Sequence, residues 1–600
     1  MSPLTFNIIR QSTQRSAARR GTVIMNAQAT SSSTDKELVE STNSTGIKRV
    51  IETPGCFMYS VKGSVPHLTP DTLRLQGFGG VNATIEHILQ DHQPAGFEKN
   101  WPCTLSRFLH LQDFILLCDI RDSSHYTKVP FNSDRHISMM TQQGVRQLTL
   151  EEYFKIVRAY EPDIMATFAD SISDLDQVQP SGQLVGSGHG LKRVKKSVDR
   201  SLKWLDMILR ERQGFDALAE DRALEEARKK KRKEEQQQRS ASGSDSNANA
   251  TIAEGNNDPL SSDTKTLNQE GASTLETKQR EGKPTKKPWT NVSVFAHVVG
   301  AQIEQERIRS AEETSMRQDV DGFVIDTLTL PGTKEEVLNL LKVSIDHLPA
   351  AKPRLVYGMQ APEDVLKSIA LGADLFDTSY PFQLTEDGKA SLFSFGTPST
   401  IHNSSTDNTR TSKRWINLWD EEHADKFVPL SEECECYACK GGRHTRAYIN
   451  HLLKAHEMLA TVLLMSHNMY QYSKFFANVR QSIQDGTFEQ HAASFVETFG
   501  TEPERTGEIH AAQAAVEAAL ARRNRLDGDS DDDAASAAAK RAAEEKKIEK
   551  EKLREARRAK NKEEGLKKRI IRQGMRSEKN LQELASQQQQ EGQEKRDEKP

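Results

Sequence analysis

The segment CECYACKGGRHTRAYINHLLKAHEMLATVLLMSHN occupies residues 434–468 and contains three of the six cysteines of the chain. Cys434, Cys436 and Cys439 form a C-x-C-x-x-C pattern, which lets three sulfurs converge on one point. Clustered cysteines in a chain with few others indicate a metal site more often than disulfides. Three thiolates and one imidazole make the closed tetrahedral shell of a structural zinc site. We therefore predict one structural Zn2+ in this segment.

The fourth ligand is expected on a helix that begins at Arg446 and continues beyond His467. Apolar residues recur along this segment at helical spacing, at Tyr448, Leu452, Leu453, Leu459, Leu463 and Leu464. His467 is the candidate ligand, but His444, His451 and His456 lie on the same segment. A histidine on an amphipathic helix is often only packed or solvated, so the spacing alone leaves these alternatives open.

Composition restricts the class of protein. The chain has 600 residues, of which 36% are hydrophobic and 28% charged, so much of it cannot be core. The net charge of −4 gives no global case for nucleic-acid binding, and any RNA contact must come from a local patch. No apolar run approaches the roughly 20 residues that cross a bilayer. We expect a protein without transmembrane segments in a reducing compartment, the cytoplasm.

Residues 1–45 are predicted to be a disordered leader. They contain Arg10, Arg15, Arg19 and Arg20, many serines and threonines, and no acidic residue before Asp35. That composition resembles a mitochondrial transit peptide, which would associate the protein with mitochondria. A leader without a targeting role is the interpretation we favour.

Strands and helices alternate in two parts of the chain, residues 46–210 and 288–500. In the first part, residues 114–118 (FILLC) and 163–169 (DIMATFA) are predicted strands. In the second, single helices separate four predicted strands, at residues 292–301, 322–328, 354–359 and 373–381. Such alternation indicates parallel pairing with right-handed crossovers. About eight units favour an α/β fold of the (β/α)8 TIM-barrel type over an open sheet.

Two further parts of the chain have a composition typical of disorder. Residues 211–287 are rich in Gln, Ser, Asn, Glu and Lys, and are predicted to be a disordered insertion, helical only at its start. The basic run Lys229–Lys233 within it is interpreted as a solvated segment, with RNA contact as the alternative. Residues 501–600 are predicted to be a charged, low-complexity tail that is partly helical.

Three blocks together resemble the tRNA-guanine transglycosylase (queuine tRNA-ribosyltransferase) family. They are RVIETPGCFMYSVKGSVPHLTPD at 49–71, KPRLVYGMQAPEDVLKSIALGADLFDTSYP at 352–381, and the cysteine pattern followed by residues 445–468. The resemblance implies a TIM barrel with an inserted zinc-binding subdomain, residues 430–470, in which His467 is the fourth ligand. It also implies a role in exchanging guanine for queuine at the wobble position of tRNAs with GUN anticodons.

The resemblance implies an aspartate nucleophile where this chain has Asp377. The nucleophile attacks the ribose from the carboxyl end of a barrel strand, where TIM barrels carry their active sites. Active members continue with Pro-Thr-Arg, whereas this chain continues with Pro381-Phe382-Gln383. The family's second aspartate corresponds at best to Asp119, within Cys118–Asp122, where the glycines of the family are missing.

At the base pocket implied by the resemblance, this sequence departs further from the family pattern. Val298-Val299-Gly300 stands where the family has a glutamine before a glycine, and residues 326–332 (DTLTLPG) replace a glycine-rich stretch. Pro331 there cannot donate a backbone hydrogen bond. In Phe168–Ser171 the aspartate, Asp170, comes one position late. Each lost buried polar partner costs on the order of 1–3 kcal/mol of binding.

A preserved zinc segment with a degraded pocket resembles the non-catalytic accessory subunit of the eukaryotic enzyme. We expect a heterodimer with a catalytic queuine tRNA-ribosyltransferase subunit, in which this chain helps to position tRNA and Asp377 is vestigial. One alternative is an active transglycosylase or nucleoside hydrolase that uses Asp377 with Asp119 or Asp170. A second is a zinc-containing RNA-binding scaffold outside tRNA modification.

Overall fold

The structure is a computed structural model. It describes residues 3–12, 16–26, 48–89, 103–124, 129, 132–141, 144–172, 190–242, 284–330, 332–396 and 413–500. The predictions for the tail, residues 501–600, therefore lie outside the described residues. So do those for residues 243–283 of the insertion and for Pro331.

Fifteen strands and thirteen α-helices are described. The strands are β1 (Leu4–Gln11), β2 (Arg19–Met25), β3 (Arg49–Thr53), β4 (Gly55–Tyr59), β5 (Gly80–Asn82), β6 (Ile115–Cys118), β7 (His136–Thr141), β8 (Gly144–Thr149), β9 (Ile164–Ala166), β10 (Ser293–Val298), β11 (Gly322–Asp326), β12 (Arg354–Tyr357), β13 (Leu375–Asp377), β14 (Lys389–Ser391) and β15 (Trp415–Asn417). The helices are α1 (Pro70–Leu73), α2 (Ile85–Ile88), α3 (Leu105–Phe108), α4 (Leu150–Tyr160), α5 (Leu191–Arg212), α6 (Ala217–Ser242), α7 (Glu304–Ser315), α8 (Lys334–Asp346), α9 (Pro362–Leu371), α10 (Ser379–Glu386), α11 (Arg446–Lys454), α12 (Met458–Asp485) and α13 (Phe488–Phe499). None of the helices in the described part of the chain combines the length and apolar content that crossing a bilayer requires.

Eight parallel strands close into a barrel, which confirms the predicted (β/α)8 fold. In order around the barrel they are β4, β5, β6, β9, β10, β11, β12 and β13, and β13 pairs back onto β4. The strands are almost entirely buried, because the barrel interior covers one face and the surrounding helices the other. The carboxyl ends of all eight strands therefore point to one mouth.

A three-stranded antiparallel sheet packs against the opposite end of the barrel. In it β2 pairs with both β1 and β3. Val23, Met25 and Ile51 of this sheet join Phe57 and Leu375 of the barrel in one buried apolar cluster. The prediction that residues 1–45 are a disordered leader is therefore wrong for β1 and β2. That prediction rested on local composition, which does not show that Arg19 has a buried partner, Asp374.

Aspartates that precede barrel strands anchor arginines from elsewhere in the chain. Asp374, just before β13, accepts two hydrogen bonds from the buried guanidinium of Arg19, at 2.7 Å and 2.6 Å. Asp163, just before β9, binds Arg49 in the same bidentate way. These pairs tie the antiparallel sheet to the amino ends of the strands. Bidentate pairing of this kind adds geometric specificity as well as energy.

The ends of the insertion meet at the barrel surface. Gly214 O accepts hydrogen bonds from the backbone N–H groups of Thr285 (2.9 Å) and Lys286 (2.8 Å). The buried carboxylate of Glu211 lies 3.0 Å from Lys286 Nζ. The helix Ala217–Ser242 then agrees with the prediction that the insertion is helical at its start. Because its ends are joined, the insertion leaves the barrel strands in register.

The zinc region follows the last barrel strand. It contains the β14–β15 hairpin, two short 3-10 turns, the cysteine segment, α11 and the first half of α12. The single helix predicted from Arg446 is two helices, because the chain turns between Lys454 and Met458. His456 adopts a left-handed φ of 55°, and Glu457 N donates to Leu452 O at 2.9 Å. Glycine usually occupies that position in such a helix end, so its usual sequence signal is missing.

We expect Arg19→Met to lower the free energy of unfolding by about 3–5 kcal/mol, because it leaves the buried Asp374 carboxylate without its partner. Denaturant-induced unfolding of the full chain measures this change. Arg20→Met is the matched control. The Arg20 side chain is 25% exposed, and its ion pair with the exposed Glu52 is long, at 3.9 Å. It should change stability by less than about 1 kcal/mol. Equal effects of both substitutions would contradict the assigned role of Arg19.

Candidate metal centre and barrel mouth

The three cysteines and His467 converge in the zinc region. The sulfurs of Cys434, Cys436 and Cys439 lie 3.5, 3.6 and 3.3 Å from His467 Nδ1. All four side chains are buried, and their ligand atoms lie within 4.8 Å of one another. Bond lengths of 2.3 Å to sulfur and 2.0–2.1 Å to nitrogen at a tetrahedral angle separate the two ligand atoms by about 3.6 Å. This cysteine–histidine cluster therefore has the dimensions of a zinc site, and it can hold a metal ion.

The hydrogen bond on the far side of the His467 ring sets its tautomer. Nε2 lies 2.8 Å from the carbonyl oxygen of Ser391, which can only accept, so Nε2 carries the proton. The lone pair of Nδ1 then faces the three sulfurs. Metal-bound histidines are oriented by such partners of their second nitrogen. This contact is an observation independent of cysteine spacing that fits the donor set to Zn2+.

The cysteine segment folds tightly around the sulfurs. Cys439 N lies 3.4 Å from Cys436 Sγ, the backbone contact typical of a metal knuckle. Gly441 and Gly442 follow with φ of 67° and 64°, a conformation that disfavours residues with a Cβ. None of the alternative histidines of this segment, His444, His451 and His456, belongs to the cluster that the described residues form.

Asp377 is the last residue of β13 and lies at the barrel mouth, as predicted for the family nucleophile position. It is 4% exposed, and its Oδ1 accepts hydrogen bonds from both the N–H (2.8 Å) and the hydroxyl of Ser379. Burial raises the pKa of Asp377 to about 6, against the opposing effect of the Ser379 hydrogen bonds. A carboxyl group in this state takes up a proton near neutral pH more readily than an ordinary aspartate.

A cavity of about 40 Å³ opens beside β6, β10 and β11 at the barrel mouth. Its polar walls include Asp119, Asp326, His297 and Tyr357, and Asp377 is not among its lining residues. Asp119 Oδ1 accepts from Ile120 N at 2.6 Å and lies 3.4 Å from His297 Nε2. A volume of 40 Å³ holds about three water molecules. Asp119 therefore lines this cavity and Asp377 does not, so these two candidate catalytic carboxylates do not share it.

His297 and Tyr357 were not predicted as pocket residues, and Asp326 was cited only as the first residue of the stretch 326–332. Each is polar and lies at or near the carboxyl end of a buried barrel strand. That placement is the signal that could have identified them. Burial raises the pKa of Asp326, whose Oδ1 accepts from Leu328 N at 2.8 Å.

Asp170 is used for packing rather than left open to a ligand. Its buried carboxylate binds Arg193 at 2.8 Å and the guanidinium of Arg200, and accepts from Asn132 Nδ2 at 2.8 Å. Both arginines lie on α5, so this carboxylate holds that helix against the barrel. Asp170 therefore holds α5 in place and, unlike Asp119, does not line the cavity at the barrel mouth.

Apolar packing occupies the positions where the resemblance implies base-reading groups. Val299 is 7% exposed and packs with Ala169, Val198 and Leu202. Val298 belongs to the main core and is 2% exposed. These side chains offer no hydrogen bond to a nucleobase.

A second polar cluster at the mouth surrounds Asp122. Its Oδ2 accepts from Tyr59 OH and lies near His87 Nε2, both at 2.9 Å. Burial alone would lower the pKa of His87, but the hydrogen bond and charge of Asp122 raise it. Burial raises the pKa of the neighbouring Glu86 to about 7. Tyr59, His87 and Glu86 are thus all in polar contact with Asp122 close to the barrel rim.

Comparisons with known proteins agree with this geometry. The family model for queuine tRNA-ribosyltransferase matches residues 41–242 and 245–501. The chain is similar to the queuine tRNA-ribosyltransferase accessory subunit 2 of Xenopus tropicalis, with 28% identity over 462 residues, 73% of this chain and 91% of the relative. It is similar to the human protein of the same name, with 28% identity over 468 residues and the same two shares, 73% and 91%. The zebrafish (Danio rerio) protein of that name is 28% identical over 458 residues, 72% of this chain and 89% of the relative.

We expect Cys436→Ala to remove tightly bound zinc, because it leaves the ion with two sulfurs and one nitrogen. Elemental analysis after dialysis against a weak chelator should find about one zinc per wild-type chain and almost none in the variant. Cys103→Ala is the matched control, since Cys103 lies outside the cluster. Zinc retained by the Cys436 variant, or lost equally from the control, would contradict the assignment.

We expect Asp377→Asn to stabilise the protein at pH 7. The folded-state pKa of about 6 lies above the ordinary 3.8, so ionisation opposes folding as pH rises between these values. The substitution should therefore add on the order of 1–3 kcal/mol at pH 7 and almost nothing near pH 4. Chemical denaturation across this pH range measures the change. Asp387→Asn, on the exposed end of α10, should be neutral at both pH values.

Proposed function

This chain belongs to the queuine tRNA-ribosyltransferase family, and we propose that it acts there as a non-catalytic accessory subunit. In this proposal it forms a heterodimer with a catalytic subunit of the family. The partner exchanges guanine for queuine at the wobble position of tRNAs with GUN anticodons, while this chain helps to hold the tRNA. The names of the relatives, accessory subunit 2, support the assignment. A reducing compartment such as the cytosol would keep the cysteine–histidine cluster ready to hold structural Zn2+.

The observation that carries the proposal is the apolar packing at the base-reading positions of the barrel mouth. A base-exchanging enzyme must grip the polar edge of an extruded base, because that grip offsets the cost of unstacking. Here Val298 and Val299 are buried in apolar clusters, and the remaining cavity of about 40 Å³ does not include Asp377 in its wall. The nucleophile position therefore does not line the cavity described at the barrel mouth.

The surface of the zinc region supports the pairing with a partner. Half of the exposed large apolar side chains of the described residues lie between residues 419 and 459, at Trp419, Phe427, Val428, Tyr437, Tyr448, Met458 and Leu459. The resemblance implies that members of this family dimerise near this region. Exposed aromatic residues and methionines are enriched at protein interfaces. We assign this apolar surface to contact with the catalytic subunit.

The retained Asp377 favours a second candidate function, an active transglycosylase or nucleoside hydrolase. Asp377 still lies at the end of β13 with a raised pKa, as a catalytic carboxylate would. Replacing it by Asn separates the two functions. An accessory subunit tolerates this change, whereas an enzyme that forms a covalent bond through Asp377 loses its activity.

The test combines the purified chain with a catalytic paralogue and measures incorporation of labelled guanine into tRNA. We expect neither protein alone to reach the activity of the mixture, because each lacks half of the working dimer. The mixture made with Asp377→Asn should keep its rate within about twofold, since that group does no chemistry in this proposal. Exchange by the chain alone, or its loss with Asp377→Asn, would establish the enzyme instead.

Met458→Asp should weaken the heterodimer and the exchange activity of the mixture together, because it places a charge on an apolar contact. Met458 is 83% exposed. Met316→Asp is the matched control, since Met316 is 75% exposed but lies outside the zinc region. Analytical ultracentrifugation of the mixtures measures the association. Equal behaviour of the two variants would remove the zinc region from the interface.

A further inference from the structure

A second group of metal-ligand side chains lies in the zinc region, in the turn between β15 and the cysteine segment. It consists of Asp420, Glu422 and His423, whose ligand atoms lie within 4.8 Å of one another. Asp420 caps the short 3-10 turn Glu421–His423, and His423 N donates to Asp420 O at 3.1 Å. The tight turn brings these three side chains together. It shares no residue with the cysteine–histidine cluster.

The buried imidazole of His423 distinguishes this turn from a group of surface carboxylates. Its side chain is 1% exposed, and neither ring nitrogen has a hydrogen-bond partner. An imidazole always carries at least one N–H, and leaving its polar atoms buried and unpaired costs about 1–3 kcal/mol. Its Nε2 faces Glu422, with Oε1 at 3.5 Å. A ligand between these groups would give Nε2 a partner.

The carboxylates on either side of His423 differ in how firmly they are held. Asp420 Oδ1 accepts from Asn417 Nδ2 at 2.8 Å, an amide contact that orients the carboxylate, as the hydrogen-bond partners of metal ligands do. Glu422 is 48% exposed, with Lys413 Nζ at 3.6 Å and Lys426 Nζ at 3.7 Å. Both distances exceed a normal hydrogen bond, so a cation can displace these ammonium groups.

We propose that Asp420, Glu422 and His423 bind a divalent first-row transition ion, Zn2+ or a neighbour of similar size. One imidazole and two carboxylates suit such ions, and three protein ligands leave a position for water. The site has no thiolate and one exposed ligand, so it exchanges its ion more readily than the cysteine–histidine cluster. The proposal does not depend on the role assigned to the protein in tRNA modification.

Calorimetric titration tests the proposal on the full chain with the cysteine–histidine cluster already loaded. Zn2+ is the probe. We expect one additional equivalent to bind the wild type. His423→Gln and Glu422→Gln should each weaken this second binding by at least about tenfold, as loss of a ligand does. Glu422 is exposed, so its variant keeps the fold even if His423→Gln does not.

Two further variants separate a built site from general surface binding. His451→Gln removes an exposed histidine of the same region that lies outside the turn, and should leave the second equivalent unchanged. Asn417→Ala should weaken binding about 10–100-fold through the orientation of Asp420, as its role is positioning. Absence of a second equivalent, or one insensitive to Glu422→Gln and His423→Gln alike, would overturn the proposal.

Discussion

The 28-residue helix α12 couples the zinc region to the barrel because its two halves are buried against different parts of the molecule. Leu463 and Leu464 pack with the cysteine segment, whereas Tyr472 and Phe476 belong to the main core. His467 lies between these halves, about 13 Å along the helix axis from Phe476. A shift of α12 that withdraws its imidazole from the sulfurs would also disturb the aromatic packing of Tyr472 and Phe476. Metal binding therefore stabilises more than its own loop, since one rigid element carries both contacts.

The barrel could be predicted from sequence because its strands are covered on both faces. Parallel strands of this kind are continuous apolar runs, and the strands predicted at residues 322–328 and 354–359 contain β11 and β12. The same criterion failed for β1 and β2, which carry arginines. Arg19 is buried because Asp374 meets it from 355 residues away along the chain. A partner so distant cannot be read from local composition, and without it an arginine is expected to be solvated.

The candidate metal ligands were predictable for a different reason. Three cysteines within six residues restrict the chemistry so strongly that little context is needed. The barrel mouth has no comparable local signal, because the state of a carboxylate depends on what packs around it. Asp170 and Asp377 both lie near strand ends, yet two arginines neutralise the first, and burial leaves the second with a raised pKa. Only the folded arrangement distinguishes them.

In the proposed accessory role, the apolar residues of the barrel mouth and the exposed apolar surface of the zinc region would serve the same function. Partner binding costs conformational entropy whenever the contacting side chains and loops must be ordered on association. Trp419 and Phe427 stand on short irregular segments that would be costly to order alone. Here Asn450, on α11, donates to Leu418 O at 2.8 Å, and Arg446 holds Pro429 O and Leu430 O. Because those segments are already fixed to helices beside the metal cluster, less order remains to be imposed when a partner docks.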